Sequence, residues 1–431
     1  MIDIQVIRDN PKMVEKKAKQ KGVEIDAGHI LKLDRERRRL VVQQESIKQQ
    51  RNLAAEAVKG GRPSDQQIEH GKKLKEQDQA LEAELDAVEG NFNEIMMLVP
   101  NMPLGMVPVG ESEDDNVVTK TVGDKPKFDF EPKNHAEIAE AKGWIDKERA
   151  VKVAGARFVY LKGDLVLLEM AMWRFVMDVL TSQATLDGII AEAGLSVSNK
   201  PYEPILPPLV ANTEAYKATG RLNKEDQTYK LEDEDLWLNA SGEHTVAPMY
   251  MNEILDDEDL PIRYIAYTTA FRREAGTYGK DMEGILRLHQ FNKMEMESFS
   301  TKDQSEAEFA LMLAIQEYLM QKLEIPYQVL EKCTADIGGP NARGVDIEAW
   351  LPGQDRYRET HTADFIGDFQ TRRMKTRTRN VNGKVELAHT TDGTALSERP
   401  LIAILENYQT AEGDVVVPAI LKPYMGGREK I

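Results

Sequence analysis

The stretch from Ile262 to Ser300 collects side chains that could together bind a nucleotide. Residues spaced by two along a strand share one face, and Arg287, Phe291 and Glu295 follow that spacing. An arginine can hold phosphate oxygens bidentately, an aromatic ring can stack on a base, and a carboxylate can bind an amine. Exposed faces of antiparallel sheets show the same alternation, so the spacing alone leaves a solvated hairpin as an equal alternative.

Two strands joined by a loop would position these side chains. The first, Ile265 to Phe271, is rich in β-branched and aromatic residues, and Arg272 and Glu274 follow on one face. The second, Arg287 to Glu295, has Leu288 and Met294 on its other face, which suits a core. The loop between the strands carries Gly276, Gly279 and Gly284.

The amino-acid sequence of this stretch favours nucleotide binding over a solvated hairpin. FRREAG followed by GILRLHQFNKME resembles motif 2 of the class II aminoacyl-tRNA synthetases, and the HQF form with Glu295 resembles the seryl-tRNA synthetase family. The resemblance implies that Arg272 binds the α-phosphate of ATP, that Glu274 places the nucleotide, and that Phe291 stacks on adenine. It also implies that Glu295 receives the amino group of serine. Arg273 and Arg287, from the same segment, join the expected ATP site.

Two further segments complete the expected serine site. Ser241-Gly242-Glu243 aligns with the Thr-Ala-Glu signature of the family, where Glu243 would hold the hydroxyl or amine of the substrate. Thr394 lies in HTTDGTALSERP, which resembles motif 3. The resemblance therefore implies a serine-binding set of Ser241, Gly242, Glu243, Arg272, Glu295 and Thr394.

The segments around residues 359 and 399 supply the expected phosphate and metal ligands. Glu359 to Thr362, followed by DFQTRR, resembles the family's Glu-x-Ser-Ser…DFQxRR segment, and implies that Glu359 and Thr362 coordinate Mg²⁺ on the ATP phosphates. Oxygen ligands are what Mg²⁺ prefers. Arg399 would face adenine from the side opposite Phe291. The remaining expected ATP-binding residues are Thr360 and His361, and the expected catalytic residues are Arg272, Glu359 and Arg399.

Several positions depart from the usual motifs. Ser241-Gly242 stands in place of Thr-Ala, and His361-Thr362 stands in place of Ser-Ser. A hydroxyl is thus retained at positions 241 and 362. Asp392 stands where the family usually has Asn, and the segment from Thr394 to Arg399 is one residue shorter than the common form.

Composition limits the classes of protein that the chain can belong to. It has 431 residues, which allows two or three domains, and a net charge of −17, which argues against a nonspecific nucleic-acid coat. Cys333 is the single cysteine, so a disulfide framework and a cysteine-rich zinc site are excluded. The N-terminus lacks the apolar core of a signal peptide, and no stretch of about 18 apolar residues could span a membrane. A cytoplasmic location is expected.

Heptad spacing predicts a helical hairpin over residues 27–98. Leucine, isoleucine and valine recur every seven residues in two series, which KGGRPS separates with two glycines and a proline. A short break between two long helices makes them antiparallel neighbours. The seam positions are Leu33, Leu40, Ile47 and Ala54, with Arg37, Gln44, Arg51 and Val58 between them, and then Leu74, Leu81, Val88 and Ile95, with Asp78, Leu85 and Phe92 between them.

The first helix of this hairpin is locally basic. Between Lys32 and Arg62 there are nine lysines and arginines against four acidic residues. A solvated face or a dimerisation zipper would also account for the charge, whereas the family resemblance favours an arm that grips the backbone of a tRNA. The candidate contacts are Lys32, Arg35, Arg38, Arg39, Lys48 and Arg51.

Taken together, these patterns predict an α+β protein with an antiparallel sheet flanked by helices and an N-terminal coiled-coil arm. The expected domains are residues 1–105 and 106–431, with a strand-like start before a helix from Pro11 to Gln20. The helix from Asp164 to Leu180 resembles motif 1 and implies a homodimer. The implied activity is ATP-dependent charging of tRNA(Ser), with tRNA(Sec) a further candidate. A ligase that charges a carrier protein and a non-catalytic tRNA-binding homologue are the alternatives.

Overall fold

The computed structural model describes residues 1–59, 61–222, 227–274 and 284–431. Over these ranges the chain forms two compact units, Met1–Met102 and Pro103–Ile431. None of the helices within the described ranges has the length and the apolar character needed to cross a membrane.

The first unit is entirely helical in its described part. The predicted strand-like start is wrong, because Asp3 accepts a hydrogen bond from the backbone N–H of Gln5 and caps a helix there. The predicted helix from Pro11 to Gln20 is confirmed. The helices are α1 (Ile4–Asp9), α2 (Pro11–Gln20), α3 (Ala27–Glu56) and α4 (Asp65–Leu98).

Helices α3 and α4 form the predicted hairpin. Ser64 begins α4 with a capping box, in which its side chain and that of Gln67 satisfy each other's backbone N–H groups. The polar seam positions have partners across the hairpin: Arg51 forms an ion pair with Asp78, and the guanidinium of Arg37 lies 4.6 Å from the centre of the Phe92 ring. Arg37, Arg51 and Asp78 therefore have partners on the facing helix.

An eight-stranded sheet organises the second unit. All neighbouring strands run antiparallel except the pair at one edge, which is parallel. From edge to edge the strands are β1 (Val117–Val122), β10 (Tyr327–Glu331), β11 (Arg343–Leu351), β12 (Arg356–Gly367), β15 (His389–Ser397), β9 (Gln290–Ser300), β8 (Ile262–Phe271) and β4 (Glu203–Ile205).

Shorter strands and nine helices surround this sheet in the described ranges. The strands are β2 (Ile145–Asp146), β3 (Tyr160–Leu161), β5 (Val210–Asn212), β6 (Leu236–Leu238), β7 (Ile254–Asp256), β13 (Arg377–Arg379) and β14 (Val385–Leu387). The helices are α5 (His135–Ala141), α6 (Lys147–Ala154), α7 (Asp164–Leu180), α8 (Gln183–Glu192), α9 (Thr213–Thr219), α10 (Glu243–Val246), α11 (Ser305–Lys322), α12 (Phe369–Met374) and α13 (Glu398–Asn407).

The main core lies between the sheet and helices α7, α11 and α13. It joins apolar residues of these helices to Ile265 of β8, Met294 and Met296 of β9, and Ile347 of β11. The opposite faces of β9 and β8 are thereby left for other contacts. The predicted α+β class, with an antiparallel sheet flanked by helices, is confirmed.

The structure corrects the bounds of two predicted strands. Strand β9 begins at Gln290, so Arg287 precedes it and does not belong to its alternating face. The predicted strand from Gly155 to Gly163 is reduced to Tyr160–Leu161. The predicted helix from Asp164 to Leu180 is confirmed at both ends.

Candidate active site on one face of the sheet

A cavity of about 620 Å³ lies on the face of the sheet that the main core leaves free. Strands β9, β12 and β15 supply its floor, and the segments that follow β6 and β8 supply its walls. The structure brings together most of the predicted site residues here. Those that line the cavity are Ser241, Glu243, Arg272, Glu274, Arg287, Phe291, Glu295, Glu359, Thr360, Thr362, Thr394 and Arg399.

Three predicted site residues do not line the cavity. Gly242 packs under it, where an added Cβ would lie 3.1 Å from the Cβ of Glu295 and 3.2 Å from that of Ala266. Arg273 has an exposed side chain. His361 is buried beside the hydroxyl of Thr360, and burial lowers its pKa to about 4, which keeps the ring neutral. Of the predicted loop glycines, 276 and 279 lie outside the described residues.

The start of β9 and the end of β8 place an arginine over an aromatic ring. The guanidinium of Arg272 lies 5.0 Å from the centre of the Phe291 ring, and its Nε donates to the carbonyl of Ala240 at 3.2 Å. Burial lowers the pKa of Arg272, although a guanidinium stays protonated in proteins. This end of the cavity therefore offers a flat apolar surface next to a positive charge.

Glu274 and Arg287 reach the same end from outside the strands. Glu274 has a φ of 50°, in the left-handed region that side chains rarely adopt, and this turns its carboxylate back toward Arg287. The two side chains form an ion pair with a distance of 3.4 Å between Nε and Oε2. Arg287 therefore reaches the cavity from the turn that precedes β9, and its position does not follow from the alternation of side chains along β9.

Glu359 and Thr362 of β12 present oxygen atoms near Arg399. The hydroxyl of Thr362 lies 3.5 Å from Oε1 of Glu359, and it donates to Oδ1 of Asp346 at 2.7 Å. Arg399, at the start of α13, contacts the carboxylate of Glu359 at 3.1 Å. Burial alone would raise the pKa of Glu359, but the charges of Arg399 and Lys332 lower it to about 2, so this carboxylate is ionised at neutral pH.

The other end of the cavity contains a buried carboxylate with two partners. Glu295 of β9 is 1% exposed, and the hydroxyl of Ser241 donates to its Oε2 at 3.0 Å. Lys293, two residues earlier on the same face, forms an ion pair with Glu295 and also donates to Ser241 at 3.3 Å. Thr394 pairs in register with Glu295 on the neighbouring strand. These contacts fix the carboxylate in one orientation.

Glu243 at this end is held by a residue that sequence reasoning did not single out. Arg221 donates from Nε to both carboxylate oxygens of Glu243 at 2.9 Å, and Gln370 donates to Oε1 at 2.6 Å. The same guanidinium lies 3.4 Å from Asp364 and 3.6 Å from Asp392. Arg221 directly follows Gly220, which ends α9 with a φ of 77°.

The chain pattern held no signal for Arg221 or for Lys332. Each is a single cation outside the regular elements. Arg221 reaches Asp364 and Asp392 only through the fold, whereas the partners of Lys332 lie 4 and 14 residues further along the chain. Lys332 lies 3.4 Å from Asp346 and 3.5 Å from Asp336, and it lines the cavity. In the sequence, the only indication of an unusual charge at this end of the cavity was Asp392, which stands where the family usually has Asn.

The candidate RNA-binding residues lie on α3 of the first unit. Arg38, Arg39 and Arg51 take part in ion pairs with Asp34, Glu36 and Asp78 respectively. Within the described part of the chain, Lys32, Arg35 and Lys48 are exposed and form no ion pair. Arg51 is committed to the hairpin seam, so the other five residues form the more accessible basic surface.

Comparison with known proteins gives the family. The model of the "tRNA synthetase class II core domain (G, H, P, S and T)" matches residues 228–408, and that of the "Seryl-tRNA synthetase N-terminal domain" matches residues 1–103. The serine--tRNA ligase of Exiguobacterium sibiricum is 40% identical over the whole of both chains. That of Deinococcus radiodurans is 38% identical over 100% of this chain and 98% of its own.

Solved structures agree with these matches. Seryl-tRNA synthetase from Pyrococcus horikoshii, complexed with ATP, has a TM-score of 0.88 and 34% identity over 100% of this chain and 99% of its own. The cytoplasmic enzyme from Naegleria fowleri, in complex with AMP, has a TM-score of 0.84 and 29% identity over 100% of this chain and 98% of its own. The chain therefore belongs to the seryl-tRNA synthetase family of the class II aminoacyl-tRNA synthetases.

Proposed function

We propose that this chain carries out the reaction of its family with the residues that line the cavity: it activates L-serine with ATP and transfers the seryl group to the 3′ end of tRNA(Ser). The observation that carries the proposal is the division of one cavity into two ends. Arg272, Phe291 and Arg399 suit a nucleotide at one end, and Glu295 with Ser241 suits an amino group at the other.

The first step needs charge placement more than covalent chemistry. An oxygen of the serine carboxylate attacks the α-phosphorus of ATP, and the bond to pyrophosphate breaks. Arg272 would neutralise the charge that builds on the α-phosphate, and Arg399 that on the leaving phosphates. Phe291 would stack on adenine. The terminal ribose hydroxyl of the tRNA then attacks the mixed anhydride and releases AMP, without a covalent intermediate on a side chain.

Glu359 and Thr362 fit a magnesium ion. Their two oxygens are 3.5 Å apart, a separation that adjacent ligands of one small cation can reach with little movement, and Mg²⁺ prefers such hard oxygen donors. Glu359 is ionised at neutral pH, as a ligand must be. When bound, the ion would supply positive charge to the phosphates of ATP. Glu359 and Thr362 would hold the ion beside Arg399.

The amino-acid specificity can be tested by exchange of labelled pyrophosphate into ATP with each of the twenty amino acids. We expect serine to support the strongest exchange, with threonine weaker because its extra methyl group needs additional space in the same pocket. Strongest exchange with alanine or threonine would contradict the proposal. Binding of tRNA without adenylate formation would instead support the non-catalytic alternative.

Replacing Glu295 by alanine should weaken the binding of serine more than that of ATP. The variant removes a buried charged acceptor, so we expect the KM for serine to rise by about 10–100-fold while that for ATP changes by less than about threefold. Pyrophosphate exchange at varied serine and varied ATP measures both constants. Glu295→Gln, which can keep the hydrogen bond to Ser241, is the matched control. Its KM for serine should lie between those of the wild type and of Glu295→Ala. An equal loss for both substrates would contradict this assignment.

A homodimer would bury an apolar surface on α7. Leu167 and Met170 are 47% and 61% exposed and lie side by side next to Tyr424. A single chain rarely leaves such large apolar side chains together in solvent, and the helix resembles the motif that lies at the dimer interface of the family. The surface therefore suits contact with a second copy.

Light scattering on Met170→Glu tests this interface. We expect the wild-type chain to be a dimer at micromolar concentration and the variant to be largely monomeric, because the interface would bury a charged carboxylate in place of an apolar side chain. Val381→Glu, at a position 79% exposed near β14, is the control and should stay dimeric. A dimeric Met170→Glu variant would place the interface elsewhere.

The remaining expectations stay proposals. Charging of tRNA(Sec) as well as tRNA(Ser) can be tested with the two purified RNAs. A ligase that acts on a carrier protein is disfavoured by the presence of the helical hairpin, which such a reaction does not use. A cytoplasmic location remains a prediction.

A further inference from the structure

Three carboxylates lie side by side across the strands at the amino-acid end of the cavity. Glu297 of β9 pairs in register with Asp392 of β15, and Asp392 pairs in turn with Asp364 of β12. Residues directly opposite in antiparallel strands hold their side chains about 5 Å apart on one face. We call these three residues the acid row. They are 0%, 5% and 6% exposed, and the two aspartates line the cavity.

The positive charges beside the acid row do not balance it. Arg221 is the cation closest to it in the described residues, and its shortest contacts are those to Glu243. Lys293 is paired with Glu295, and Lys332, which is paired with Asp346 and Asp336, also interacts electrostatically with Asp364. Counting Glu243 and Glu295 with the row, Arg221 and Lys293 form ion pairs with four of the five buried carboxylates, and Glu297 pairs with neither cation.

Several oxygens of the acid row accept no hydrogen bond. Within the described ranges, both carboxylate oxygens of Glu297 and the Oδ1 atoms of Asp364 and Asp392 have no donor. Buried carboxylates without donors are strongly unfavourable, so such a group either takes up a proton or binds a cation. Burial, and then repulsion among these groups and Glu243, raises the pKa of Glu297 and of Asp392 well above the ordinary range. The acid row is therefore expected to bind either protons or a cation.

We propose that the acid row is a subsite for a second ammonium group, so that the chain also activates α-amino acids whose short side chain carries an amine. The inference rests on the proposed function, because it concerns the side-chain end of the same adenylate-forming site. Serine brings one ammonium group, which Glu295 suits. A side-chain ammonium would bring three more N–H donors to oxygens that accept no hydrogen bond, and one more positive charge to a row with more carboxylates than cations.

The size and chemistry of the site favour this occupant over a metal ion. 2,3-Diaminopropionate has the shape of serine with an ammonium in place of the hydroxyl, so it needs no additional space. In the described part of the chain, no group of three or more His, Cys, Asp or Glu side chains is arranged to hold a metal ion. The alternative to a bound ammonium group is that the carboxyl groups of the acid row share protons among themselves. Substrate specificity and proton release distinguish these two states.

Pyrophosphate exchange with L-2,3-diaminopropionate, serine and alanine tests the subsite in the wild-type chain. We expect kcat/KM for diaminopropionate to be within about tenfold of that for serine and about 100-fold above that for alanine, because the site supplies acceptors that alanine cannot use. Glu297→Gln and Asp392→Asn keep the shapes of the side chains and remove their charges. In each variant the ratio of kcat/KM for diaminopropionate to that for serine should fall at least about tenfold.

Glu348→Gln is the matched control. Glu348 is a half-buried carboxylate on the neighbouring strand β11, outside the cavity, and it accepts a hydrogen bond from Gln328 at 2.6 Å. Its replacement should leave the ratio unchanged. A ratio that does not respond to either acid-row variant would overturn the inference.

Calorimetry on the wild-type chain gives a second readout that needs no variant to fold. Binding measured in two buffers of different ionisation enthalpy reports the protons released. The measurement is made at a mildly acidic pH, where both amino groups of free diaminopropionate carry a proton, because repulsion between two neighbouring ammonium groups lowers the pKa of one of them. If an ammonium displaces protons from Glu297 and Asp392, diaminopropionate should then release about one proton more than serine does. Equal release would mean that the row keeps its protons and would overturn the inference.

The outcomes also separate this inference from the proposed function. Exchange with serine, together with none above the alanine level for diaminopropionate, would refute the acid-row subsite and leave the proposed function standing. Exchange with diaminopropionate alone would support the subsite and refute activation of serine. No exchange with either amino acid would refute both.

Discussion

Adenylate formation should fall by about 10³-fold when Arg272 is replaced by glutamine, the loss expected for a charge that acts on a transferring phosphoryl group. Arg272 lies over Phe291 at the nucleotide end of the cavity, where burial strengthens its interaction with developing negative charge. Single-turnover formation of seryl-adenylate measures the effect directly. The affinity for ATP should change far less than the rate, because the added charge builds mainly in the transition state.

Arg273→Gln is the control for this prediction. It removes the same charge one residue away, from an exposed side chain that does not line the cavity. Exposed charges contribute little, so we expect less than about a threefold change in rate. A loss at Arg273 as large as that at Arg272 would show that both arginines act on ATP, as the motif suggested. A loss below about tenfold at Arg272 would contradict its assignment.

Deletion of Ala27 to Leu98 should lower the kcat/KM for charging tRNA by about 10³-fold, because several phosphate contacts would be lost together. Exchange of pyrophosphate should stay within about threefold of wild type, since the residues that line the cavity all belong to the second unit. The two assays on one preparation separate the steps. Undiminished charging of tRNA would contradict the role of the arm.

A charge variant tests the arm without removing it. Lys32, Arg35 and Lys48 are exposed on α3, and replacement of all three by glutamate should weaken tRNA binding and flatten its salt dependence. The matched control makes the same change on α4, at Lys72, Lys73 and Lys75. A larger loss in the control would place the RNA on the second helix of the hairpin.

The sequence was sufficient where a pattern is local. The heptads predicted the hairpin because each seam position is set by its own helix, and even the polar seam positions Arg37 and Arg51 turned out to have partners across it. The alternation of Phe291, Lys293 and Glu295 likewise follows from one strand. These elements need only short-range information.

The charge arrangement at the amino-acid end could not be predicted in the same way. Glu297, Asp392 and Asp364 become neighbours through the order and register of three strands, which no local pattern encodes. Arg221 depends on a turn after Gly220, and Arg287 on the left-handed backbone of Glu274. Such contacts arise from tertiary structure, so sequence motifs alone would describe an ordinary serine site.

Strand β15 comes late in the chain and yet lies inside the sheet, between β12 and β9. Strand β9 ends at Ser300 and β12 at Gly367, so both are synthesised before β15, and each keeps an unpaired edge until β15 joins. Unpaired edges invite association with other chains, and folding that depends on distant partners is slow. A nascent chain, or one cut before β15, should therefore be a client of chaperones and prone to aggregate until the missing strand arrives.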